Sequence, residues 1–265
     1  MSHGSGRSAA ESSRLTVFLP IVSYTPATSF SHRLITKYTA VISTATDPDQ
    51  TSLPPLLQAR SLFCERDERV LFSGLDFQLQ AGDVMQVQGS NGSGKTTLLR
   101  ILCGLNSSYE GEIRWQGQDI DEDRETFLAS LLYIGHRVGV NKILTARENL
   151  RWSCALHAPV TDAAIEQALA EVGLAGYADV TCRNMSAGQQ QRVSLARLLL
   201  SPARLWVLDE PFTTLDVAGV KILENLLARH AGNGGAVLVT THHQLDLPCD
   251  LRRLNLDSAR LDSLT

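Results

Sequence analysis

Long hydrophobic runs are missing from this sequence of 265 residues. No apolar stretch approaches the roughly 18 residues that a helix needs to cross a bilayer, so we expect any work at a membrane to require a membrane-embedded partner. An excess of basic residues is missing too, because 24 lysines and arginines are outweighed by 28 aspartates and glutamates. The net charge of −4 therefore gives no reason to expect a nucleic-acid partner.

Cysteine is scarce and scattered along the chain. The five cysteines, at positions 64, 103, 154, 182 and 249, form no CxxC pair. The sequence therefore predicts neither a zinc site nor a disulfide framework. Isolated thiols in a chain of this size fit a reducing compartment, and we interpret them as small hydrophobic side chains.

Residues 1–55 lack the regular hydrophobic pattern of the rest of the chain. They are rich in serine and threonine, and Glu11 is the only acidic residue before Asp47. This composition is typical of a disordered extension, although organelle transit peptides share it. We predict an N-terminal extension at 1–55, one ordered domain at 56–250 and a short C-terminal tail at 251–265.

Strand and helix patterns alternate at both flanks of the predicted domain. Apolar runs typical of strands lie at 84–88, 112–115, 204–208 and 236–240, and helical patterns lie at 96–105, 165–172 and 220–230. Between the flanks, the pattern is mostly helical. The sequence therefore predicts an α/β fold with a mostly parallel sheet core and a helical subdomain at about 126–185.

A complete phosphate-loop motif, GxxxxGK[ST], occupies residues 89–96. It follows a predicted strand and opens a predicted helix, so backbone amides and the helix start can bind phosphate. Lys95 is expected to reach the β- and γ-phosphates of ATP, and Thr96 to give its hydroxyl to Mg²⁺. The predicted nucleotide-binding residues are Gly89, Ser90, Asn91, Gly92, Ser93, Gly94, Lys95, Thr96 and Thr97.

Two adjacent acidic residues end the apolar run at 204–208. Asp209 is expected to hold Mg²⁺ together with Thr96, and Glu210 to orient or deprotonate the attacking water. Alone, such a pair is usually a solvated strand end. The complete phosphate loop earlier in the chain favours the catalytic interpretation.

The segment Met185-Ser186-Ala187-Gly188-Gln189 resembles the LSGGQ signature of the ATP-binding cassette (ABC) ATPases. Met185 replaces the leading leucine and Ala187 replaces the first glycine. The resemblance implies that Ser186, Gly188 and Gln189 bind the nucleotide, with Ser186 donating to a γ-phosphate oxygen and Gly188 allowing close backbone approach. A helix that begins here would point its amide dipole at that phosphate.

Two shorter segments agree with this resemblance. Residues 214–216 are similar to the D-loop of the ABC family, and 240–242 are similar to its switch segment, whose histidine is His242 here. The resemblance implies a P-loop NTPase fold with an additional antiparallel β portion, ATP and Mg²⁺ as cofactors, and His242 as a catalytic residue. It also implies a head-to-tail dimer, in which the signature of one copy completes the phosphate site of the other.

One position departs from the family pattern. Arg137, in Tyr133-Ile-Gly-His136-Arg137, stands where the family has a glutamine that binds Mg²⁺ and the attacking water. Arginine neither accepts hydrogen bonds nor ligates metals. Hydrolysis could be slower, His136 or a water could substitute, Arg137 could pair with phosphate, or the change could be neutral. The aromatic residue that stacks on adenine is not evident either, and Phe63 is the nearest candidate.

Further segments resemble one ABC subgroup, the haem exporter ATPases of cytochrome c maturation. They lie at 64–69, 71–75, 115–118 and 133–136. The resemblance implies a peripheral protein on the cytoplasmic face of a bacterial inner membrane, bound to an integral membrane permease subunit. The alternatives are the ATPase of another ABC transporter, a nucleotide-binding regulator with little turnover, and a soluble cassette protein acting on nucleic acid, which the net charge and the single cassette disfavour.

The phosphate-loop assignment predicts that Lys95→Ala abolishes ATP binding, because it removes the cation that faces the β- and γ-phosphates. Equilibrium titration with a fluorescent ATP analogue measures this directly. Retained tight binding by the variant would contradict the assignment.

Overall fold

The computed structural model describes residues 54–155 and 159–259. The predicted extension at 1–55 therefore lies outside the described residues except for its last two positions, and so does the end of the predicted tail, 260–265. Nothing among the described residues forms a helix with both the length and the hydrophobicity to cross a membrane.

Nine strands and six α-helices make up the described fold. The strands are β1 (Leu57–Arg66), β2 (Arg69–Leu79), β3 (Val84–Gln88), β4 (Glu110–Trp115), β5 (Gln118–Asp119), β6 (Leu131–Ile134), β7 (Leu205–Asp209), β8 (Ala236–Thr240) and β9 (Leu251–Asn255). The helices are α1 (Lys95–Leu102), α2 (Arg124–Ala129), α3 (Ala146–Cys154), α4 (Asp162–Glu171), α5 (Ala187–Leu200) and α6 (Val217–Gly232).

The strands form two sheets of different type. The parallel sheet has the order β6-β7-β8-β3-β9, and the antiparallel sheet has the order β2-β1-β4-β5. Every residue of β7 and β8 is buried, as expected for central strands covered on both faces. The predicted fold class, α/β with a mostly parallel core, an antiparallel β portion and a helical subdomain, is confirmed.

Two predicted boundaries are wrong. The predicted helical subdomain at 126–185 includes β6, which pairs with β7 in the parallel sheet, so the uninterrupted series of helices starts after it, at α3. The predicted tail at 251–265 begins with β9, which pairs with β3 along its full length. Both strands are short, and their assignment depends on sheet partners that are distant in the sequence.

The helical subdomain is held together by apolar packing and by one arginine. Ile165, Leu169 and Leu150 are buried in the interface of α3, α4 and α5. Arg147, at the start of α3, donates to Asp179 at 2.9 Å and also pairs with acidic side chains of α4. The Arg147 guanidinium lowers the pKa of Asp179. These contacts fix α3 and α4 beside α5, the helix that carries the signature at its start.

A stacked ring pair packs α6 against the parallel sheet. The ring of His230 lies 3.7 Å from the Trp206 ring, centroid to centroid, with 7° between the planes, and its Nε2 is 3.1 Å from the Arg204 carbonyl. Burial lowers the pKa of His230 below its ordinary value of 6.5, although nearby carbonyl groups oppose this shift. The neutral imidazole is therefore the form that the fold accommodates.

This shift predicts a loss of stability in mild acid. Below pH 6.5 the unfolded chain takes up a proton at His230 before the folded chain does, so stability falls as the pH drops towards the folded pKa. We expect the Tm measured by circular dichroism to fall between pH 7 and pH 5.5, and His230→Phe to reduce that fall. The exposed His242 provides the control, since the Tm of His242→Gln is expected to fall over this pH range as much as that of wild type. An equal fall in His230→Phe and wild type would contradict the prediction.

Candidate active site

The phosphate loop connects β3 to α1. Gly89, Gly92 and Gly94 have φ values of 151°, 76° and 101°, which favour glycine. At Gly89 a Cβ atom would lie 2.5 Å from Ser93 Oγ, so a side chain there would require Ser93 to move. Lys95 Nζ donates to the Gly89 carbonyl at 2.8 Å and to the Ser90 carbonyl at 3.2 Å. The ammonium group of Lys95 therefore lies directly against the loop.

The predicted metal ligands, Thr96 and Asp209, are in contact. Thr96 Oγ1 donates to Asp209 Oδ2 at 2.9 Å, and Thr240 Oγ1 donates to Asp209 Oδ1 at 2.8 Å. Asp209 is only 2% exposed, so its carboxylate depends on these hydroxyl groups for hydrogen bonds. A hydroxyl and a carboxylate at the mouth of a phosphate loop are oxygen ligands of the kind that Mg²⁺ prefers. The residues present thus fit the metal.

Glu210 has a strained backbone that is held from one side by Thr240. Its φ of 53° is uncommon for a residue with a side chain. The Glu210 amide donates to the Thr240 carbonyl at 3.1 Å and to Thr240 Oγ1 at 3.0 Å. The carboxylate is 19% exposed and lies 3.6 Å from Nε2 of His242. The two predicted catalytic residues therefore lie next to each other.

A cavity of about 760 Å³ joins these groups. Among the predicted site residues, its lining includes Asn91, Gly92, Gly94, Lys95, Thr96, Thr97, Asp209, Glu210 and His242. Gly89, Ser90 and Ser93 belong to the same loop but are not among the lining residues. The cavity has the size of a small-molecule site, and its lining contains cations, hydroxyls and carboxylates.

Other lining residues were not predicted from the sequence. Arg66, Asp67 and Arg69, at the turn between β1 and β2, line the cavity, whereas Phe63, the proposed adenine-stacking residue, does not. Phe63 lies in β1, three residues before the strand ends at Arg66, and it pairs with Glu110 of β4.

Two neighbouring residues after β6 also differ in their relation to the cavity: His136 lines it and Arg137 does not. His136 is therefore part of the cavity wall, beside the arginine that replaces the family's glutamine.

The signature residues line a different cavity, of about 420 Å³. Ser186 and Gln189 form a capping box at the start of α5, in which the Ser186 amide donates to Gln189 Oε1 at 2.9 Å. A Cβ atom at Gly188 would lie 2.8 Å from the Thr214 carbonyl, so the signature and the D-loop are in close contact. This cavity shares no lining residue with the phosphate-loop cavity. The structure thus does not bring Ser186, Gly188 and Gln189 to the phosphate loop of the same chain.

The D-loop is anchored by Asp216. Its carboxylate accepts a hydrogen bond from the Gly219 amide at 2.8 Å and pairs with Arg192 of α5. The Gly219 amide and the Arg192 guanidinium lower the pKa of Asp216. This contact connects the signature helix to the segment that follows Glu210.

Thr240 is a residue of the site that the sequence did not single out. It lies within the predicted switch segment, but only its hydrogen bonds to Asp209 and Glu210 reveal its role. In the sequence, Thr240 is marked only as a hydroxyl-bearing residue at the end of an otherwise apolar strand, β8.

The site geometry is that of a P-loop ATPase with a signature helix, and comparisons with known proteins agree. The sequence profile of the ABC transporter family matches residues 72–213, and the chain belongs to that family. An ABC transporter ATP-binding protein from Pyrococcus furiosus has a similar structure, with a TM-score of 0.67 at 25% identity over 76% of this chain and 98% of that chain. The chain is therefore an ABC-type ATPase.

Individual relatives of this chain point to one subgroup of the family. The chain is 52% identical over 206 residues to the cytochrome c biogenesis ATP-binding export protein CcmA of Hahella chejuensis, covering 78% of this chain and 98% of the relative. It is 54% identical to the CcmA protein of Pseudomonas putida, covering 76% of this chain and 96% of the relative. The resemblance to this subgroup, expected from short segments, thus extends over nearly the whole length of these relatives.

The position of Glu210 predicts that Glu210→Gln binds ATP but hydrolyses it at least about 100-fold more slowly, because an amide cannot accept the proton of the attacking water. Phosphate release and analogue binding measure the two effects separately. Glu171→Gln is the matched control, since Glu171 pairs with Arg229 and does not line the cavity. Unchanged turnover in Glu210→Gln would remove Glu210 from the catalytic role.

Proposed function

We propose that this chain is the ATP-hydrolysing subunit of an ABC transporter complex for c-type cytochrome biogenesis, with haem export or delivery as its purpose. The observation that carries the proposal is the identity of more than half of the aligned residues with CcmA proteins over nearly their whole length. The intact set of Lys95, Thr96, Asp209 and Glu210 in one cavity supports active hydrolysis.

The mechanism follows from the contacts in the cavity. Lys95 exchanges its loop carbonyls for the phosphates of ATP. Thr96 and Asp209 would hold Mg²⁺, which would supply positive charge to offset that of the phosphate oxygens. Glu210 accepts a proton from a water molecule as the water oxygen bonds to the γ-phosphorus. The bond between the γ-phosphorus and the oxygen that bridges the β- and γ-phosphates breaks at the same time. His242, beside Glu210, contacts the γ-phosphate, and the products are ADP and inorganic phosphate.

A second copy of this chain is the proposed partner for catalysis. The signature cavity and the phosphate-loop cavity share no lining residue, so one chain offers two half-sites rather than one complete site. Head-to-tail pairing lets Ser186, Gly188 and Gln189 of one copy face the phosphate loop of the other. ATP binding then favours the closed pair and hydrolysis releases it.

The remaining partner is an integral membrane permease subunit, which places this chain peripherally on the cytoplasmic face of a bacterial inner membrane. The export function in the name of the relatives supports this assignment. No nucleic-acid partner is proposed, in line with the net charge of −4. The low-turnover alternative rested on Arg137, and the position of His136 in the cavity favours hydrolysis instead.

Genetic complementation tests the proposal. The gene is deleted in its host and replaced by wild type or by Lys95→Ala, and separated proteins are stained for covalently bound haem, with b-type haem as the control. We expect covalent haem to disappear on deletion and to return only with wild type, because delivery requires ATP.

Covalent haem that survives the deletion would contradict the role in cytochrome biogenesis. The chain would then serve another ABC transporter. Restoration by Lys95→Ala would contradict the requirement for ATP.

A further inference from the structure

An acidic side chain near the C-terminus is bonded to the phosphate loop. Asp257 accepts a hydrogen bond from the Ser90 amide at 2.8 Å through Oδ2, and one from the Ser90 hydroxyl at 2.9 Å through Oδ1. Both oxygens of the carboxylate thus bind one residue of the loop. Neither the catalytic mechanism nor the sequence motifs account for this contact.

The turn that carries Asp257 is well positioned for it. Strand β9 pairs with β3 as far as Asn255, which lies opposite Gln88, the last residue before the phosphate loop. Leu256 is fully buried, and its amide donates to the Gln88 carbonyl at 3.0 Å. Asn255 Oδ1 accepts from the Asp257 amide at 2.9 Å, and the Ser258 hydroxyl donates to the Asn255 carbonyl at 2.8 Å. The sheet therefore delivers Asp257 beside the loop.

The Ser90 carbonyl accepts two further hydrogen bonds, and we expect nucleotide binding to remove the one from Lys95. The Ser90 carbonyl accepts from Lys95 Nζ at 3.2 Å and from the Ser93 amide at 3.1 Å. Lys95 must turn away from this carbonyl to reach the phosphates. The two bonds from Ser90 to Asp257 do not involve Lys95, so they can persist when ATP binds.

The electrostatics favour a positional role for this carboxylate. The carboxylate of Asp257 repels the negatively charged phosphates of ATP, so it cannot improve ATP binding by electrostatic attraction. A glycine-rich loop, however, loses much conformational entropy when it is ordered, and a loop held in advance binds its ligand more tightly. A hydrogen bond to a charged acceptor is well suited to hold it.

We propose that Asp257 is a positioning residue, which holds Ser90 so that the phosphate loop is ordered before ATP arrives. It acts through Ser90 and does not touch the reacting atoms. The inference rests on the nucleotide binding that is part of the proposed function, and it is independent of the cytochrome assignment.

Titration of the full-length protein with a fluorescent ATP analogue tests the proposal. We expect Asp257→Ala to raise the Kd for the analogue and the KM for ATP by about 5- to 10-fold, through the lost order of the loop, and to change kcat by less than about twofold. Asp257→Asn is expected to bind almost as wild type does, because its amide can accept from the Ser90 amide and donate to the Ser90 hydroxyl.

Ser258→Ala is the matched control, since it removes a bond within the same turn but leaves the contact with Ser90. It is expected to bind as wild type does. Wild-type affinity in Asp257→Ala would overturn the proposal. So would equal weakening in Asp257→Ala, Asp257→Asn and Ser258→Ala, which would mean that the turn acts only through the stability of the fold.

A second variant covers the case in which Asp257→Ala melts at a lower temperature. Ser90→Ala leaves the C-terminal turn intact and removes one of the two bonds, so its Kd is expected to rise by about two- to threefold. An unchanged Kd would overturn the proposal. Failure of the wild-type protein to bind the analogue would instead contradict the proposed function. If the analogue binds normally but covalent haem survives deletion of the gene, only the cytochrome assignment is contradicted, and the role of Asp257 is unaffected.

Discussion

Asp209 accepts a hydrogen bond from Thr96 through one carboxylate oxygen and from Thr240 through the other. These two bonds connect three segments that are far apart in the sequence: the phosphate loop with the start of α1, the end of β7 and the end of β8. The carboxylate is buried, so losing either partner would leave a desolvated acceptor unsatisfied. Thr96, Glu210 and the end of β8 are all joined by hydrogen bonds through this junction.

The order of the parallel sheet explains why the junction exists. Strands β7, β8 and β3 are neighbours, and parallel strands end at the same edge, so the segments after Asp209, Thr240 and Gln88 converge there. Strand β9 lies on the other side of β3 and brings Asp257 to the same edge. The signature, by contrast, begins α5 in the helical subdomain and faces another cavity. Within one chain, the signature and the phosphate loop therefore line separate cavities.

Much of this site could be predicted because its motifs are local. The phosphate loop is contiguous, and its glycines, Lys95 and Thr96 define it without knowledge of the fold. The strands β6 and β9 were missed because their assignment depends on pairing with β7 and β3. Phe63 does not line the cavity, because β1 extends to Arg66 and residues at its end and in the following turn do so instead. The roles of Thr240 and Asp257 depend on hydrogen bonds between segments, which no single stretch of sequence reveals.

Completion of the site by a second copy can be tested by chemical crosslinking. Asn91→Cys and Gln189→Cys are each combined with Cys249→Ser, so that the introduced cysteine is the only one that is not buried among the described residues. The two variants are mixed with ATP and a short bifunctional thiol reagent. Because Asn91 of one copy would then face Gln189 of the other, we expect a crosslinked dimer from the mixture, with ATP, and little from either variant alone. No ATP-dependent dimer from the mixture would contradict the account.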